Sequence, residues 1–182
     1  MTTPTIQTQR LILRPFVLSD AVNYHRLILA DEQTMRWLPI GKPVPRTRVE
    51  SIIKGIIDQW RDHGYGLWAI IDQESGKLIG HCGLQPLDNT HEIEITCAIA
   101  KAFRRKGLAT EAGRACLRYA FETQNLQRIV AVCPPENQPG QRLIARWGLK
   151  PEKKVHAYDA YLPLYAIAQG DFKPDESAYA VS

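Results

Sequence analysis

Arg104-Arg105-Lys106-Gly107-Leu108-Ala109-Thr110 joins a strand-like segment ending near Ala100 to a helix-like segment. Its residue types could bind an anion. Main-chain N–H groups at a helix start lack partners, and the helix dipole gives that end partial positive charge. Small residues at 107 and 109 let a ligand approach the main chain, and three basic side chains add longer-range attraction. Together these features suit a pyrophosphate. The segment lacks G-x-G-x-x-G, and its lysine precedes the glycine with no G-K-[ST] following. This excludes the dinucleotide fingerprint and the nucleotide P-loop. Spacing alone leaves two readings, an anion-binding loop or an exposed basic turn.

The other chemistry-bearing residue types are sparser. Glu92 and Glu94 alternate with Ile93 and Ile95, so both carboxylates fall on the polar face of a strand. Either could accept a proton, or simply decorate that face. Cys82, Cys97, Cys116 and Cys133 form no C-x-x-C pair and sit among apolar neighbours, which points to buried, reduced thiols and to no zinc or redox centre. His63, His81 and His91 have no metal-ligand spacing, and no metal is expected. The net charge of +4 comes without a basic stripe interleaved with aromatics, so nucleic-acid binding is not expected.

These residues need a scaffold. Ile6 to Pro15 reads as an opening strand, and Ser19-Asp20 as an N-cap for a helix over 21–30. Val49, Ile52, Ile53, Ile56, Ile57 and Trp60 share one helical face, closed by Gly64. Gly66 to Asp72 and Lys77 to Leu84 form a hairpin, and 92–100 a further strand. Ala109, Ala112, Cys116, Leu117, Ala120 and Phe121 mark a second amphipathic helix. Arg128 to Cys133 reads as a strand, Gln141 to Trp147 as a helix capped by Gly148, and Ala157 to Ala168 as a final strand. Trp60, Trp68 and Trp147 are expected in the core; Trp37, in a loop, is the exception. With 182 residues, 45% hydrophobic and 23% charged, the chain fits one globular domain over 1–182, with a core at about 6–170. Met1 to Thr5 carries no leader pattern and no apolar run could span a bilayer, so a cytoplasmic protein is expected.

Four motifs in order resemble the GNAT acetyltransferases, and among them the RimJ/RimL-like branch that acetylates ribosomal-protein alanines. Thr8-Gln9-Arg10-Leu11-Ile12-Leu13-Arg14-Pro15 is similar to the branch's opening T-E-R-L-x-L-R-P. Trp68-Ala69-Ile70, Leu78-Ile79-Gly80 and Gly83-Leu84 resemble its central hairpin. Arg104, Gly107 and Ala109 match the coenzyme A signature R/Q-x-x-G-x-G/A, and Gly107 to Ala112 the string G-x-A-T-E-A. Asn137 with Gly148-Leu149 is similar to its N-x-x-S…G-F.

The resemblance implies a mixed α/β GNAT fold. Its central, mostly antiparallel sheet would have six to seven strands with a splayed middle pair, flanked by about four helices. It implies acetyl-CoA as co-substrate. Cys97, Ala98 and Ile99 would pair with the pantetheine arm. Main-chain amides from Arg105, Lys106, Gly107, Leu108, Ala109 and Thr110 would hold the pyrophosphate, and Asn137 would bond the arm near the sulfur. Glu94 falls on the glutamate of the family's A-E-I-G-Y strand and is the candidate base, alone or through water; Glu92 and Glu111 read as structural. The usual acids are missing, because Ile144 stands where many members have Tyr and Gly140 where the branch often has Ser. Tyr158, Tyr161 and Tyr165 are candidate substitutes.

The expected reaction is direct transfer of acetyl to a primary amine in a ternary complex. A protein N-terminal α-amine, with a pKa near 8, is more readily neutral than a lysine near 10.4. The alternatives are a small-molecule acceptor (polyamine, aminoglycoside or amino acid) or a non-catalytic acetyl-CoA binder. A monomer or homodimer is expected, without membrane attachment.

Overall fold

A computed structural model describes residues 3–182; Met1 and Thr2, part of the N-terminal segment read above as leaderless, lie outside the described residues. The strands are β1 (Ile6–Thr8), β2 (Leu11–Arg14), β3 (Leu67–Asp72), β4 (Leu78–Pro86), β5 (Ile93–Ile99), β6 (Arg128–Val132), β7 (Lys150–Ala157), β8 (Ala160–Ala168) and β9 (Tyr179–Val181). The helices are α1 (Ala21–Tyr24), α2 (Glu32–Met35), α3 (Val49–His63), α4 (Leu108–Arg118) and α5 (Gln138–Trp147). All nine strands lie in one sheet, ordered β7-β8-β6-β5-β4-β3-β2-β1-β9. Every pairing is antiparallel except β5 with β6.

The sheet is wider than the six to seven strands expected, for local reasons. The opening segment breaks at Gln9-Arg10, where the Thr8 hydroxyl bonds the main chain of Leu11 and folds β1 back on β2. The last segment breaks at Tyr158-Asp159, both with positive φ, so residues 150–157 add β7 as an edge strand. The C-terminal β9 then pairs with β1. Extended, charged β7 (Lys150-Pro151-Glu152-Lys153-Lys154) has little apolar alternation, which hid it in the sequence; Lys and Pro are typical of a sheet edge.

The helical readings also shift. The 21–30 segment is irregular: a 3-10 turn (Leu18–Asp20), then α1, then a π-helical turn (His25–Leu29). Asp20 stands at the N-cap of α1 as expected, but its side chain makes no capping bond to that helix; its carboxylate accepts instead from the Val17 amide and takes a two-pronged bond from Arg14. Short α2, capped by Asp31, lies before the expected Pro-rich loop. By contrast α3 buries Val49, Ile53, Ile56 and Trp60 and ends on left-handed Gly64, as its periodicity dictates.

One continuous core joins α3, α4 and the central strands, and Trp60, Trp68 and Tyr119 meet edge-on within it. A smaller apolar cluster of Leu87, Val130, Ala157 and Leu164 lies beneath the β7–β8 turn. Among the described residues no helix is long and apolar enough to cross a membrane.

Candidate active site

β5 and β6 diverge. On its outer side β5 pairs with β4 from Gly80↔Ile99 to Pro86↔Ile93, and β6 pairs with β8 from Arg128↔Ala168 to Val132↔Leu164. Against each other they pair only at Glu94↔Val130. Beyond that point their inner edges open into a cleft of about 810 Å³. Its walls include residues 95–99 of β5, 131–133 at the end of β6, and Asn137 with Gly140 at the start of α5; its mouth is the 103–110 loop.

That loop is shaped for donation. Arg105 and Gly107 both have positive φ, 63° and 79°, which turns the chain sharply into α4. The first helical bond runs from the Glu111 amide to Gly107 O. Among the described residues none of the amides from Arg105 to Thr110 has a main-chain acceptor. These orphan donors, at the positive end of α4, fit a pyrophosphate without requiring any particular side chain.

The basic side chains divide their labour. Arg104 lines the cleft and is tied back to the fold: Nε donates to Ile99 O at 2.9 Å, its terminal nitrogen reaches Thr34, and Asp31 lies 3.6 Å away, so it ties the end of β5 to α2. Arg105 is exposed and lines the cleft. Lys106 does not line it; its Nζ sits 5.3 Å from the Phe103 ring centroid. Cys97, Ala98, Ile99, Gly107, Leu108, Ala109, Thr110 and Asn137 all do.

Asn137 caps α5, and its Oδ1 accepts from the Gly140 amide at 3.0 Å. Only Nδ2 remains free for a ligand. A Cβ on Gly140 would lie 2.6 Å from that Nδ2 and 2.9 Å from Cys133 Sγ, so a serine here would require those side chains to shift. Cys97 is half-buried and lines the cleft rather than sitting wholly inside, as does the more buried Cys133. Burial pushes the Cys133 thiol up to about 11. Bonding to Cys82 and burial push Cys97 well above its ordinary value. Both are therefore protonated near neutrality and poor nucleophiles.

Glu94 sits where the splay begins and is only 3% exposed, so the strand face expected to be polar is covered. Burial pushes its carboxyl up to about 7, against the lowering effect of hydrogen bonds from Tyr158 and Gln85. Gln85, its register partner on β4, donates to Oε1 at 2.6 Å, and Tyr158 Oη donates to the same oxygen. The only fully buried side-chain polar atom without a partner, among the described residues, is Tyr179 Oη. Both Glu94 bonds fall on Oε1 and none on Oε2; Glu94 is not itself part of the cleft wall, which begins on β5 at the next residue, Ile95. Glu92 instead pairs with Arg128, which also grips Glu152.

Of the candidate acids, Tyr161 is 75% exposed, and none of Tyr158, Tyr161 and Tyr165 forms part of the cleft wall. Trp37 is half-buried and lines the cleft, whereas Trp60, Trp68 and Trp147 are buried. Among the described residues no group of three or more His, Cys, Asp or Glu could hold a metal ion. Gln85 and Asp88 escaped the sequence reading. The pairing of Gln85 with Glu94 was available only from the hairpin register, which the residue types do not set.

The sequence profile of the acetyltransferase (GNAT) domain matches residues 10–150. The chain is 29% identical over 147 residues to the uncharacterized N-acetyltransferase YnaD of Bacillus subtilis, covering 81% of this chain and 83% of that one. It is 29% identical over 111 residues to the [ribosomal protein uS5]-alanine N-acetyltransferase of Escherichia coli, 59% of this chain and 56% of that one. Its fold is similar to that of Mycobacterium smegmatis RimJ, solved in complex with CoA-disulfide, with a TM-score of 0.76 at 24% identity, covering 90% of this chain and 87% of that one.

Proposed function

The chain belongs to the GNAT family of N-acetyltransferases, and from that membership we propose that it moves the acetyl group of acetyl-CoA onto the α-amine of a protein or peptide N terminus. The observation that carries this reading is the cleft itself. Its inner edges meet only at Glu94↔Val130 and open toward the unbonded amides of residues 105–110.

In this reading the 105–110 amides hold the pyrophosphate, and the unpaired inner edge of β5 at Cys97, Ala98 and Ile99 lines up the pantetheine arm. Asn137 Nδ2 donates near the sulfur. The co-substrate supplies a thioester whose thiolate leaves without full protonation, since thiols ionise near 8.5. No dedicated acid is then required, which accords with Ile144 and Gly140 at the usual positions. High thiol pKa values at Cys97 and Cys133 favour direct transfer over an acetyl-cysteine relay.

Glu94 takes the amine proton, through water at Oε2 or directly. A base near 7 is matched to its acceptor. Taking a proton from an α-ammonium near 8 is uphill by roughly one pKa unit, but from a lysine near 10.4 by more than three. The E. coli relative, a [ribosomal protein uS5]-alanine N-acetyltransferase, is consistent with an α-amine acceptor.

The test is an acceptor panel with acetyl-CoA, read by thiol release: peptides with free Ala or Ser N termini, an N-blocked lysine peptide, a polyamine and an aminoglycoside. The free α-amine peptides should give the highest kcat/KM. A polyamine, lysine or aminoglycoside outpacing them would refute the acceptor, and binding without turnover on any amine would refute the enzyme.

A further inference from the structure

The β7–β8 turn reaches Glu94 at the closed end of the splay, where β5 and β6 still pair. Tyr158 and Asp159 form its two central positions, with φ of 52° and 58°. A two-residue hairpin turn of this hand favours Asn and Gly, and an aromatic residue in left-handed backbone is disfavoured. The strain is held by contacts at both ends of the residue. The Tyr158 amide donates to Asp88 Oδ2 at 2.9 Å, binding this turn to the β4–β5 loop. Its ring packs on the cluster containing Val130, the β6 partner of Glu94. Its Oη donates to Glu94 Oε1 and accepts from Gln85 Nε2 at 3.1 Å, while Gln85 also donates to Glu94, closing a three-residue ring.

We propose that Tyr158 is a positioning residue for acetyl transfer: from the β7–β8 turn it holds the Glu94 carboxylate by Oε1, turns Oε2 toward the acceptor, and sets how tightly Glu94 binds its proton. The contribution to transfer rests on Glu94 being the base; the hold on its carboxylate does not.

The groups around Glu94 fix the sign. Gln85 on β4 and Tyr158 on the turn donate to the carboxylate and favour its charged form, while Asp88, from the β4–β5 loop, opposes it. On β6 the facing register partner is the uncharged Val130. Burial and the Glu94 charge push the Tyr158 phenol far above its ordinary range, so it remains a donor at any working pH. Strained geometry kept by several independent contacts is typical of a residue serving a site.

The test is an NMR titration of the intact protein labelled with carbon-13 at glutamate side-chain carboxyls, with E94Q assigning the Glu94 signal. Removing one hydrogen bond to a carboxylate in Y158F should raise the Glu94 midpoint by about one unit. The acid limb of kcat/KM should move up by the same amount, leaving the affinity for acetyl-CoA unchanged. Selective 3-fluorotyrosine at 158 strengthens the donor while keeping the ring, so the midpoint should fall; this arm also covers a Y158F that folds poorly. A midpoint unmoved by these changes overturns the inference. A fully active E94Q overturns instead the assignment of Glu94 as base, whatever the midpoint does.

Discussion

Arg10 and Glu111, 101 residues apart in the chain, are joined by a bond of 2.7 Å from Arg10 Nε to Glu111 Oε2. Glu111 Oε1 also accepts from the Arg10 amide and the Thr8 hydroxyl, and Arg10 Nη1 donates to Lys106 O at 2.8 Å. The opening T-x-R of the sequence and the T-E of the helix start are thus two halves of one contact. It staples the β1–β2 turn to α4 and holds the outer side of the 105–110 turn in place.

Breaking that contact should affect both stability and binding. E111A removes the acceptor of the Arg10 amide and leaves the Thr8 hydroxyl only Leu11 O, and should cost about 0.5–1.5 kcal/mol by urea denaturation. R10A should cost less, about 0–1 kcal/mol, because the Arg10 side chain is 46% exposed and screened by solvent. R10A also frees Lys106 O, so the affinity for acetyl-CoA should fall several-fold by calorimetry. An unchanged affinity would remove Arg10 from the account of the loop.

Glu94 gives the pH dependence. Its carboxyl is pushed up to about 7, so the base form, and with it kcat/KM, should rise with pH through that value. E94Q should lower kcat by about 100-fold or more and abolish that limb. Stability should move the other way. The folded protein holds the Glu94 proton more tightly than the unfolded chain, so stability is lost as pH rises from the ordinary carboxylate range through about 7. At pH 8 E94Q should therefore melt higher than the native protein; a lower melting temperature would show that the charge is not being held at a cost.

How far the sequence disclosed this arrangement depended on the range of the signal. α3 and α4 declare themselves through local spacing, whereas spacing alone leaves the Gly107 loop open between two readings, and Glu94 and Asn137 are singled out only by the family resemblance. The β7 edge strand was hidden by its lysines, and β9 by its short length. The side-chain role of Arg104 was not legible, since Ile99 O, Thr34 and Asp31 meet it only after folding. The ring of Glu94, Gln85 and Tyr158 needs two strand registers at once, and no local pattern encodes them.

Gly107 has a φ of 79°, so a side chain there is strained whatever the space around it. G107V should destabilise the fold by roughly 1–2 kcal/mol and rotate the neighbouring amides out of register. The affinity for acetyl-CoA should drop at least about tenfold at a temperature where the variant is still folded. Native affinity in G107V would place the phosphate site elsewhere.

Restoring a hydroxyl at 140 should not help catalysis. In G140S the new Cβ would lie 2.6 Å from Asn137 Nδ2, forcing the α5 cap to move. Loss of the cap should cost about 0.5–2 kcal/mol, and kcat should fall. A gain in kcat would mean that the transfer was limited by a missing acid.

The most direct measurement is isothermal calorimetry of the purified protein with acetyl-CoA, set beside acetyl-pantetheine, which carries the same thioester and arm but no pyrophosphate. The cleft predicts saturable binding of acetyl-CoA at one site per chain and at least about a hundredfold weaker binding of acetyl-pantetheine. Absence of acetyl-CoA binding, or equal affinity for the two, would contradict the claim that the unbonded amides of residues 105–110 grip the linked phosphates.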